Sequence, residues 1–487
     1  MSGSITIVGL GPGDPGWITR EAWDVLEAVD EIYLRTRFHG AWDKLPPRLR
    51  RHSFDAVYER EDSFDDVYRA IVDTLMELGR RPQGVVYAVP GDPTIGEATL
   101  PELRRRAAEA NLSLRIVHGV SFLEPTLALV GLDALDGLQL ADAIDLSWRH
   151  HPSFHPDQPV VVGQLHSRLL ASDVKLCLLR QYPPEHQVIL VQGAGTGEAA
   201  ADRIPLVELD RREGFGLHTS LVIPPLPHPA SFERFQEVIA HLRAPEGCPW
   251  DREQTHESLR RHLLEETYEA LEAIDKDDSQ ALREELGDLL LQVVLQAQIA
   301  TESGEFTMAD VIASIAAKLL RRHPHVFGDV KVANVDEVLH NWEGLKAAER
   351  IAGGEGKGPL EGVPETLPAV AQAVEIQDRV ARVGFDWPDA DGPRRKILEE
   401  LEEVGQAATD ERRFDEVGDL LFAVANYARK LGVDGESALR GANRRFRKRF
   451  SHVEATAKER GLRLADMTLE DLDSLWEAVK RGEPPPG

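Results

Sequence analysis

The sequence predicts a multidomain protein, in which a two-lobed α/β domain precedes a tandem duplication of an all-α domain. Three observations support this prediction: short apolar segments alternate with helix-length segments up to about residue 230, long amphipathic segments follow, and one acidic pattern occurs twice among them. A chain of 487 residues also exceeds one ordinary hydrophobic core. We expect an α/β domain over 1–228, a first all-α copy over 229–352, a flexible linker over 353–364 and a second copy over 365–482.

Seven short apolar segments predict the strands of the α/β domain. They cover residues 5–10, 31–35, 84–89, 114–119, 159–165, 187–194 and 219–225. Helix-length stretches separate them, and this alternation is typical of an α/β domain. The run HHPSFHPDQP at 150–159 predicts a link between two lobes. The prolines within 224–229 end the domain, because stacked prolines continue neither a strand nor a helix.

Three loops that contain glycine follow predicted strands of this domain, at 9–19, 89–97 and 118–125. Glycine lets the backbone of a turn approach a ligand closely. Loops at the carboxyl ends of strands are also where α/β sheets bind nucleotide-like ligands. A purely structural turn is the alternative interpretation of each single motif.

From about residue 231 the apolar residues recur at helical spacing. The predicted helices cover 256–275, 279–302 and 307–322 in the first copy, and a second set lies between 365 and about 480. The two sets align as a duplication, because Glu399 lies 134 residues after Glu265 and Glu416 lies 131 residues after Glu285. An offset this long indicates duplicated domains and not a solenoid repeat.

Each copy carries a Glu-Glu-x-x-Glu pattern on one predicted helix and a Glu-x-x-Asp pattern on the next. The residues are Glu265, Glu266, Glu269, Glu285 and Asp288 in the first copy, and Glu399, Glu400, Glu403, Glu416 and Asp419 in the second. Residues three or four apart share a helix face, so two facing helices can direct these carboxylates at one point. Such a cluster repels itself unless a cation binds, and Mg²⁺, which prefers oxygen ligands, is the expected cation. A solvated acidic face is the alternative, and the repetition favours the metal site.

Glycines occupy matching positions inside the second helix of each pattern, at Gly287 and Gly418. A glycine inside a helix costs about 1 kcal/mol relative to alanine. We therefore expect these two glycines to allow the close approach of a helix or a ligand.

Basic residues follow the acids of each copy, and a tryptophan precedes them. The basic residues are Lys318, Arg321 and Arg322 in the first copy, and Arg445, Lys448 and Arg449 in the second. They predict neutralisation of substrate phosphates, with favourable placement of cations at a helix C-terminus as the alternative. Trp250 and Trp387 predict stacking on a nucleotide base, with a role in the hydrophobic core as the alternative.

The composition limits the partners and the location of the protein. A net charge of −27, from 56 basic and 83 acidic residues, argues against binding to nucleic acid or to anionic membranes. No apolar run reaches transmembrane length, and the N-terminal residues lack the layout of a signal peptide. The two cysteines, Cys177 and Cys248, form no disulfide or zinc pattern, which predicts a cytoplasmic protein. The tail at 482–487 is predicted to be disordered.

The helical half resembles the MazG family in the segments CPWDREQTHESLRRHLLEETYEALEAI, ELGDLL and KLLRRHPHVFGD, and in NRRFRKRF of the second copy. The resemblance covers about residues 231–482. It implies all-α nucleoside triphosphate pyrophosphohydrolases that cleave between the α and β phosphorus atoms, yielding a nucleoside monophosphate and pyrophosphate. It also implies that all ten carboxylates bind Mg²⁺, with catalytic roles for Glu265, Glu266, Glu399 and Glu400. A homodimer is expected, because each copy is short and pairing would complete its helical bundle.

The three glycine loops resemble those of the tetrapyrrole methylase family, over about residues 3–225. That resemblance implies S-adenosylmethionine bound in a cleft between two α/β lobes. The implied contacts are Gly11, Gly13, Asp14, Gly91, Asp92, Pro93, Thr94 and Ser121. The tandem arrangement resembles the bifunctional YabN-type proteins. A methyltransferase as the main activity, with the helical part as a metal- or nucleotide-sensing module, is the alternative function.

Overall fold

The computed structural model describes residues 3–335, 337–338, 341–342, 344 and 358–481. The chain divides into two compact units, Met1–Ala313 and Ser314–Gly487. Residues 353–357 of the predicted linker and the predicted disordered tail at 482–487 lie outside the described residues.

The first lobe of the first unit is a five-stranded parallel sheet in the order β3-β2-β4-β1-β5. Its strands are β1 (Ser4–Gly9), β2 (Glu31–Leu34), β3 (Arg50–Ser53), β4 (Val85–Val89) and β5 (Ser113–Val117). The helices that accompany them are α1 (Arg20–Ala28), α2 (Asp55–Arg60), α3 (Phe64–Leu78), α4 (Thr99–Glu109) and α5 (Leu123–Val130). The central strands β1 and β4 are largely buried, as expected for a parallel sheet that helices cover on both faces.

The second lobe is a mixed sheet in the order β6-β7-β10-β8-β9, in which β6 and β7 are parallel and the other pairs antiparallel. Its strands are β6 (Gln139–Asp142), β7 (Val160–Gly163), β8 (Gln187–Gln192), β9 (Ala200–Pro205) and β10 (Thr219–Ile223). Its helices are α6 (Ala143–Ser147) and α7 (Arg168–Leu178). The second sheet begins at Gln139, so the run at 150–159 lies inside this lobe, and our prediction that it links the lobes is wrong.

The helical part of the first unit follows the second lobe. Its helices are α8 (Phe232–Arg243), α9 (Pro249–Glu253), α10 (Arg260–Asp275), α11 (Ser279–Ser303) and the start of α12 (Met308–Arg322). Asp278 caps α11 by accepting hydrogen bonds from the amides of Gln280 and Ala281. This cap ends the short turn after α10, so α10 and α11 form a helical hairpin.

The second unit is helical over its described residues. Its helices are the end of α12, α13 (Pro324–Phe327), α14 (Ala369–Ala381), α15 (Asp391–Gln406), α16 (Asp410–Lys430), α17 (Gly435–Glu459) and α18 (Leu469–Arg481). The pair α15 and α16 forms the second helical hairpin, with Thr409 as the N-cap of α16. The predicted fold class, an α/β domain followed by all-α domains, is confirmed.

Short 3₁₀ segments lie between several of these elements. They are Pro15–Trp17, Trp42–Lys44, Ala134–Asp136, Leu206–Arg211 and Leu464–Asp466. The first of them begins inside a glycine loop, where Asp14 accepts a hydrogen bond from the amide of Gly16.

Candidate metal centres and the glycine-loop site

Three carboxylates of the first copy meet where α10 faces α11. Glu266 from α10 and Glu285 and Asp288 from α11 each offer an oxygen, and these oxygens lie within 4.8 Å of one another. Glu285 and Asp288 are three residues apart, so both project from the same face of α11. All three side chains are half-buried, and the group therefore lies in a partly desolvated groove. We name these residues the first triad.

The carboxylates of the first triad repel one another. Burial raises the pKa of Glu266, and the charges of Asp288, Glu269 and Glu285 raise it further. Burial also raises the pKa of Glu285, with added repulsion from Glu269 and Asp288. Both shifts mean that the ionised forms are unfavourable here without a cation.

Glu265 lies beside the first triad but pairs elsewhere. Its Oε1 accepts a hydrogen bond from Nε of Arg261 at 2.7 Å, and its Oε2 lies 3.5 Å from Nδ1 of His262. Both partners belong to the same helix, α10. The structure thus brings three of the five predicted acids of the first copy together, with Glu269 adjoining and Glu265 turned to its own helix.

The second copy repeats this arrangement with the second triad, Glu400 from α15 and Glu416 and Asp419 from α16, whose oxygens also lie within 4.8 Å of one another. Glu400 is only 3% exposed. Its Oε2 is buried and has no hydrogen-bond partner among the described residues. A buried carboxylate oxygen without a partner is costly, and a bound cation would satisfy it.

Lys396 supplies a positive charge beside the second triad. Its Nζ lies 2.5 Å from Oε1 of Glu400 and 2.8 Å from Oε1 of Glu399. Glu403 adjoins the second triad, where burial and then the charges of Glu416 and Glu400 raise its pKa, although Lys396 lowers it. The five predicted acids of this copy therefore divide as in the first, with Glu399 held in an ion pair on its own helix.

The two helix glycines have open space around them. A Cβ added to Gly287 or Gly418 would meet no atom of the described residues within 4 Å. Our expectation that another helix packs closely against these positions is therefore wrong for the described part of the chain. The expectation that a ligand approaches these glycines stays a prediction.

Trp250 precedes the first acidic helix, α10, on a segment that Arg243 holds. The residue is 56% exposed, and its ring contacts that of His262 of α10 edge to face, with 6.2 Å between the ring centroids. Arg243 holds the segment, because its guanidinium donates to the carbonyl oxygens of Asp251 and Gln254. The same guanidinium is paired with Glu302 of α11, an arrangement that sequence analysis missed because these residues lie 59 positions apart.

The segment of Trp387 in the second copy is also held by ion pairs, but here the acid lies beside the tryptophan and the cations lie on the long helix α16. Asp386 accepts hydrogen bonds from Arg429 at 2.5 Å and from Lys430 at 2.7 Å. Lys430 also donates to the carbonyl oxygen of Trp387. The indole packs against the first turn of α15, where a Cβ on Gly392 would lie 2.5 Å from its ring.

The predicted basic residues lie on the helices α12 and α17. Lys318, Arg321 and Arg322 occupy the last turns of α12, and Arg445, Lys448 and Arg449 lie on one stretch of α17. The guanidinium of Arg449 lies over the ring of Trp476, 5.9 Å from its centroid. Trp476 is an aromatic residue that sequence analysis did not single out.

The three glycine loops meet at the carboxyl edge of the first sheet, as predicted. The amides of Gly11 and Gly91 exchange hydrogen bonds with each other's carbonyl oxygens, at 3.3 and 2.7 Å. A Cβ on Gly9 or Gly119 would lie 2.5 or 2.3 Å from the carbonyl oxygen of Gly91. Glycine is therefore required where these loops cross.

Asp92 ties the second glycine loop to the third. Its Oδ2 accepts hydrogen bonds from Nδ1 of His118 at 2.9 Å and from the amide of Gly119 at 3.1 Å, and its Oδ1 accepts from the amide of Thr94 at 2.7 Å. Burial alone would raise the pKa of Asp92, but the hydrogen bonds from Thr94 and His118 outweigh burial and lower it. Pro93 is buried beside it.

The remaining predicted residues of this site lie on the first and third loops. Ser121 is buried and donates to Glu124 at 2.6 Å. Gly13 approaches the second lobe, because a Cβ there would lie 2.9 Å from Thr196. The amide of Asp14 donates to the carbonyl oxygen of Gly195 at 3.2 Å. The first loop thus touches both lobes.

His39 supports the first glycine loop and was missed from the sequence, since it lies in a segment without a motif. It is buried, and its Nε2 donates to the carbonyl oxygen of Gly11 at 3.0 Å while its Nδ1 accepts from the amide of Ala41 at 3.2 Å. Burial lowers the pKa of His39, which favours the neutral ring that this bonding requires.

Comparisons with known proteins identify both halves of the chain. Residues 254–327 match the family model described as the MazG nucleotide pyrophosphohydrolase domain, and residues 4–209 match that of the tetrapyrrole (corrin/porphyrin) methylases. The nucleoside triphosphate pyrophosphohydrolase/pyrophosphatase MazG of Thermotoga maritima is 46% identical over 252 residues, which cover 52% of this chain and 96% of that protein. The chain belongs to the MazG family.

Further relatives extend this assignment. The nucleoside triphosphate pyrophosphohydrolase of Escherichia coli K12 is 46% identical over 257 residues, covering 52% of this chain and 97% of that protein. The uncharacterized protein YabN of Bacillus subtilis is 42% identical over 497 aligned positions, covering 99% of each chain. The chain therefore has the two-part organisation of YabN, with a methylase-like domain before the MazG part. No helix in the described ranges is long and apolar enough to cross a membrane.

Proposed function

We propose that this protein is a Mg²⁺-dependent pyrophosphohydrolase that converts a nucleoside triphosphate and water into a nucleoside monophosphate and pyrophosphate. The observation that carries the proposal is the pair of matching triads, because each brings three carboxylates from two helices to one point. Relatives named for this activity support it, since the chain covers nearly their whole length. Removal of non-standard nucleotides from the cellular pool is a role that fits such an activity.

The residues of both triads suit Mg²⁺. Hard divalent cations prefer carboxylate oxygens, and all six groups are carboxylates. The partnerless Oε2 of Glu400 and the raised pKa of Glu266 both indicate groups that a cation would stabilise. When bound, Mg²⁺ supplies charge neutralisation to the phosphate oxygens and polarises water.

The chain's own residues supply the remaining functions. Glu269 and Glu403 adjoin the triads, and we assign to them the role of accepting a proton from the attacking water. Glu265 and Glu399 are held in ion pairs with Arg261 and Lys396 of their own helices. Trp250 and Trp387, both partly exposed on clamped segments, stack on the nucleotide base.

The proposed basic contacts are those on α12 and α17. They suit phosphate oxygens that the metal does not reach, because arginine binds phosphate through two parallel hydrogen bonds. The six residues are Lys318, Arg321, Arg322, Arg445, Lys448 and Arg449.

Product analysis on a panel of ribo- and deoxynucleoside triphosphates, with and without Mg²⁺, tests the hydrolase. We expect monophosphate and pyrophosphate only with Mg²⁺, and loss of at least 100-fold in turnover for Glu285→Gln with Glu416→Gln, roughly the effect of losing a metal ligand. The matched control is Glu284→Gln with Asp415→Asn, the exposed neighbours on α11 and α16, which should keep full turnover. Diphosphate with phosphate as products, or full turnover of the triad variant, would contradict the proposal.

We also propose that the glycine-loop site binds S-adenosylmethionine. The close backbone crossing at Gly11 and Gly91 supports this, because it leaves peptide groups free of side chains at the edge of a parallel sheet. Calorimetry with S-adenosylmethionine tests it, and an absence of heat at high micromolar ligand would reduce the domain to a scaffold. A methyltransferase whose MazG part only senses nucleotides is the second candidate. It predicts binding of a triphosphate with Mg²⁺ but no hydrolysis.

We propose a cytoplasmic homodimer. Both hairpins leave large apolar side chains exposed on a single chain, among them Leu264, Leu286, Phe414 and Leu421. Pairing with a second chain would bury these faces in complete bundles. The two cysteines are unpaired, which suits a reducing compartment. Light scattering tests the dimer, and a mass of one chain would refute it.

A further inference from the structure

One position close to the acids, that of His262 and Lys396, carries different residues in the two copies. Lys396 lies 134 residues after His262, the same offset that separates Glu400 from Glu266 and Glu399 from Glu265. The same position on the first acidic helix therefore carries a histidine in the first copy and a lysine in the second. The difference changes the charge beside the triad.

The two side chains also contact different acids. His262 lies 3.5 Å from Glu265, outside the first triad, and its ring faces Trp250. Lys396 lies 2.5 Å from Glu400, a member of the second triad. The second triad thus already has a positive charge on one of its oxygens, whereas the first does not among the described residues.

Lys396 neutralises the buried carboxylate of Glu400. A carboxylate that is 3% exposed requires a counter-ion, and Lys396 provides it, while Oε2 has no partner in the part of the chain that the structure describes. A divalent cation that reached the triad would be repelled by an ammonium group a few ångströms away. The lysine stem is flexible and its side chain is 41% exposed, so the ammonium group can move away from Glu400 towards solvent.

We propose that Lys396 is exchanged between Glu400 and a phosphate of the nucleotide, so that the second copy takes up metal and nucleotide together while the first copy takes up metal alone. A triphosphate offers the displaced ammonium group new oxygen partners, and Glu400 would then be able to hold the metal with both oxygens. Lys396 is then a nucleotide-binding residue of the second copy. This inference rests on the proposed function, because it requires that the triads bind a divalent cation.

Mn²⁺ binding, followed by the electron paramagnetic resonance signal of the free ion, tests the proposal in the full chain. Glu285→Gln with Asp288→Asn leaves only the second triad, and Glu416→Gln with Asp419→Asn leaves only the first. We expect Mn²⁺ alone to bind the second triad about tenfold more weakly than the first, the effect of one partly screened charge. An α,β-methylene nucleoside triphosphate should remove most of this difference.

A reciprocal exchange of the two residues gives matched variants. Lys396→His should tighten Mn²⁺ binding at the second triad about tenfold without nucleotide and weaken binding of the analogue. His262→Lys, at a half-exposed position that tolerates a lysine stem, should impose the opposite changes on the first triad. Unchanged Mn²⁺ affinity in both variants, with both triads binding the ion, would overturn the role of Lys396. Failure of either triad to bind Mn²⁺ in the presence of nucleotide would instead overturn the proposed metal centres.

Discussion

Arg243 joins the Trp250 segment to the end of α11, and its removal should loosen that segment. Its side chain is 6% exposed and makes hydrogen bonds of 2.7 to 3.1 Å to Glu302, besides those to two carbonyl oxygens. A hydrogen bond to a charged group contributes about 1.5–3 kcal/mol, and breaking a buried ion pair costs about 3–5 kcal/mol. Glu302 is 38% exposed and would regain water, so we expect Arg243→Ala to cost about 2–3 kcal/mol.

Amide hydrogen exchange measures this loss locally, in a chain whose separate domains do not unfold in one step. The amides of residues 249–259 should exchange roughly 30- to 150-fold faster in Arg243→Ala, the equivalent of that free energy. The matched control is Arg252→Ala, because Arg252 is exposed and donates a 2.9 Å hydrogen bond to Pro245 in the same segment. It should change exchange by no more than about threefold. An equally small change in Arg243→Ala would refute the clamp.

Four further results are expected. The hydrogen bond from Arg243 lowers the pKa of Glu302, so the stability that this pair adds should be present above about pH 4.5 and lost as the pH falls through the lower pKa of the folded state. Amide hydrogen exchange of the Trp250 segment, measured as a function of pH, should show this loss. The pKa values of Glu266 and Glu285 are raised, so the calorimetric melting temperature of the metal-free protein should fall as the pH rises above about 4.5. Mg²⁺ should abolish this decrease in melting temperature. Gly287→Ala should raise the free energy of unfolding by about 0.5–1 kcal/mol in denaturant titration, since the added Cβ meets open space. Asp92→Ala should weaken S-adenosylmethionine binding in calorimetry at least tenfold, because four hydrogen bonds are lost, two of which join the second glycine loop to the third.

Each of these expectations has a contrary outcome. Acid-insensitive exchange would mean that Glu302 is not ionised in the pair. Melting of the metal-free protein that is flat with pH would mean that the triad carboxylates do not repel one another. Destabilisation by Gly287→Ala would show that a helix packs on that face after all. Unchanged binding in Asp92→Ala would place S-adenosylmethionine away from the crossing loops.

The buried strands and the long helices were predictable because their residues repeat with a clear period. The strands β3, β6 and β9 were missed because they are partly exposed and polar, as in the RRHS of Arg50–Ser53. Such strands form because a neighbouring strand offers hydrogen bonds, and no property of the isolated segment indicates this.

The acidic positions were predictable, but the selection among them was not. Spacing places five acids on the inner faces of each hairpin, yet Glu265 and Glu399 pair with cations on their own helices. That choice depends on the neighbours Arg261 and Lys396, which the sequence presents as ordinary surface charges. The clamp at Arg243 was out of reach for a different reason, since it joins residues distant in sequence through the packing of α8 on α11.

The reversed charges of the two tryptophan clamps mean that the copies are no longer interchangeable parts. In the first copy the cation precedes the tryptophan and the acid sits on the long helix, whereas in the second the acid precedes and the cations sit on the helix. In a chimera that joined the segment around Arg243 to α16, Arg243 would face Arg429 and Lys430. These like charges would repel one another. Each tryptophan segment therefore suits only the long helix of its own copy. Recombination that exchanged these segments between the two copies would destabilise the protein.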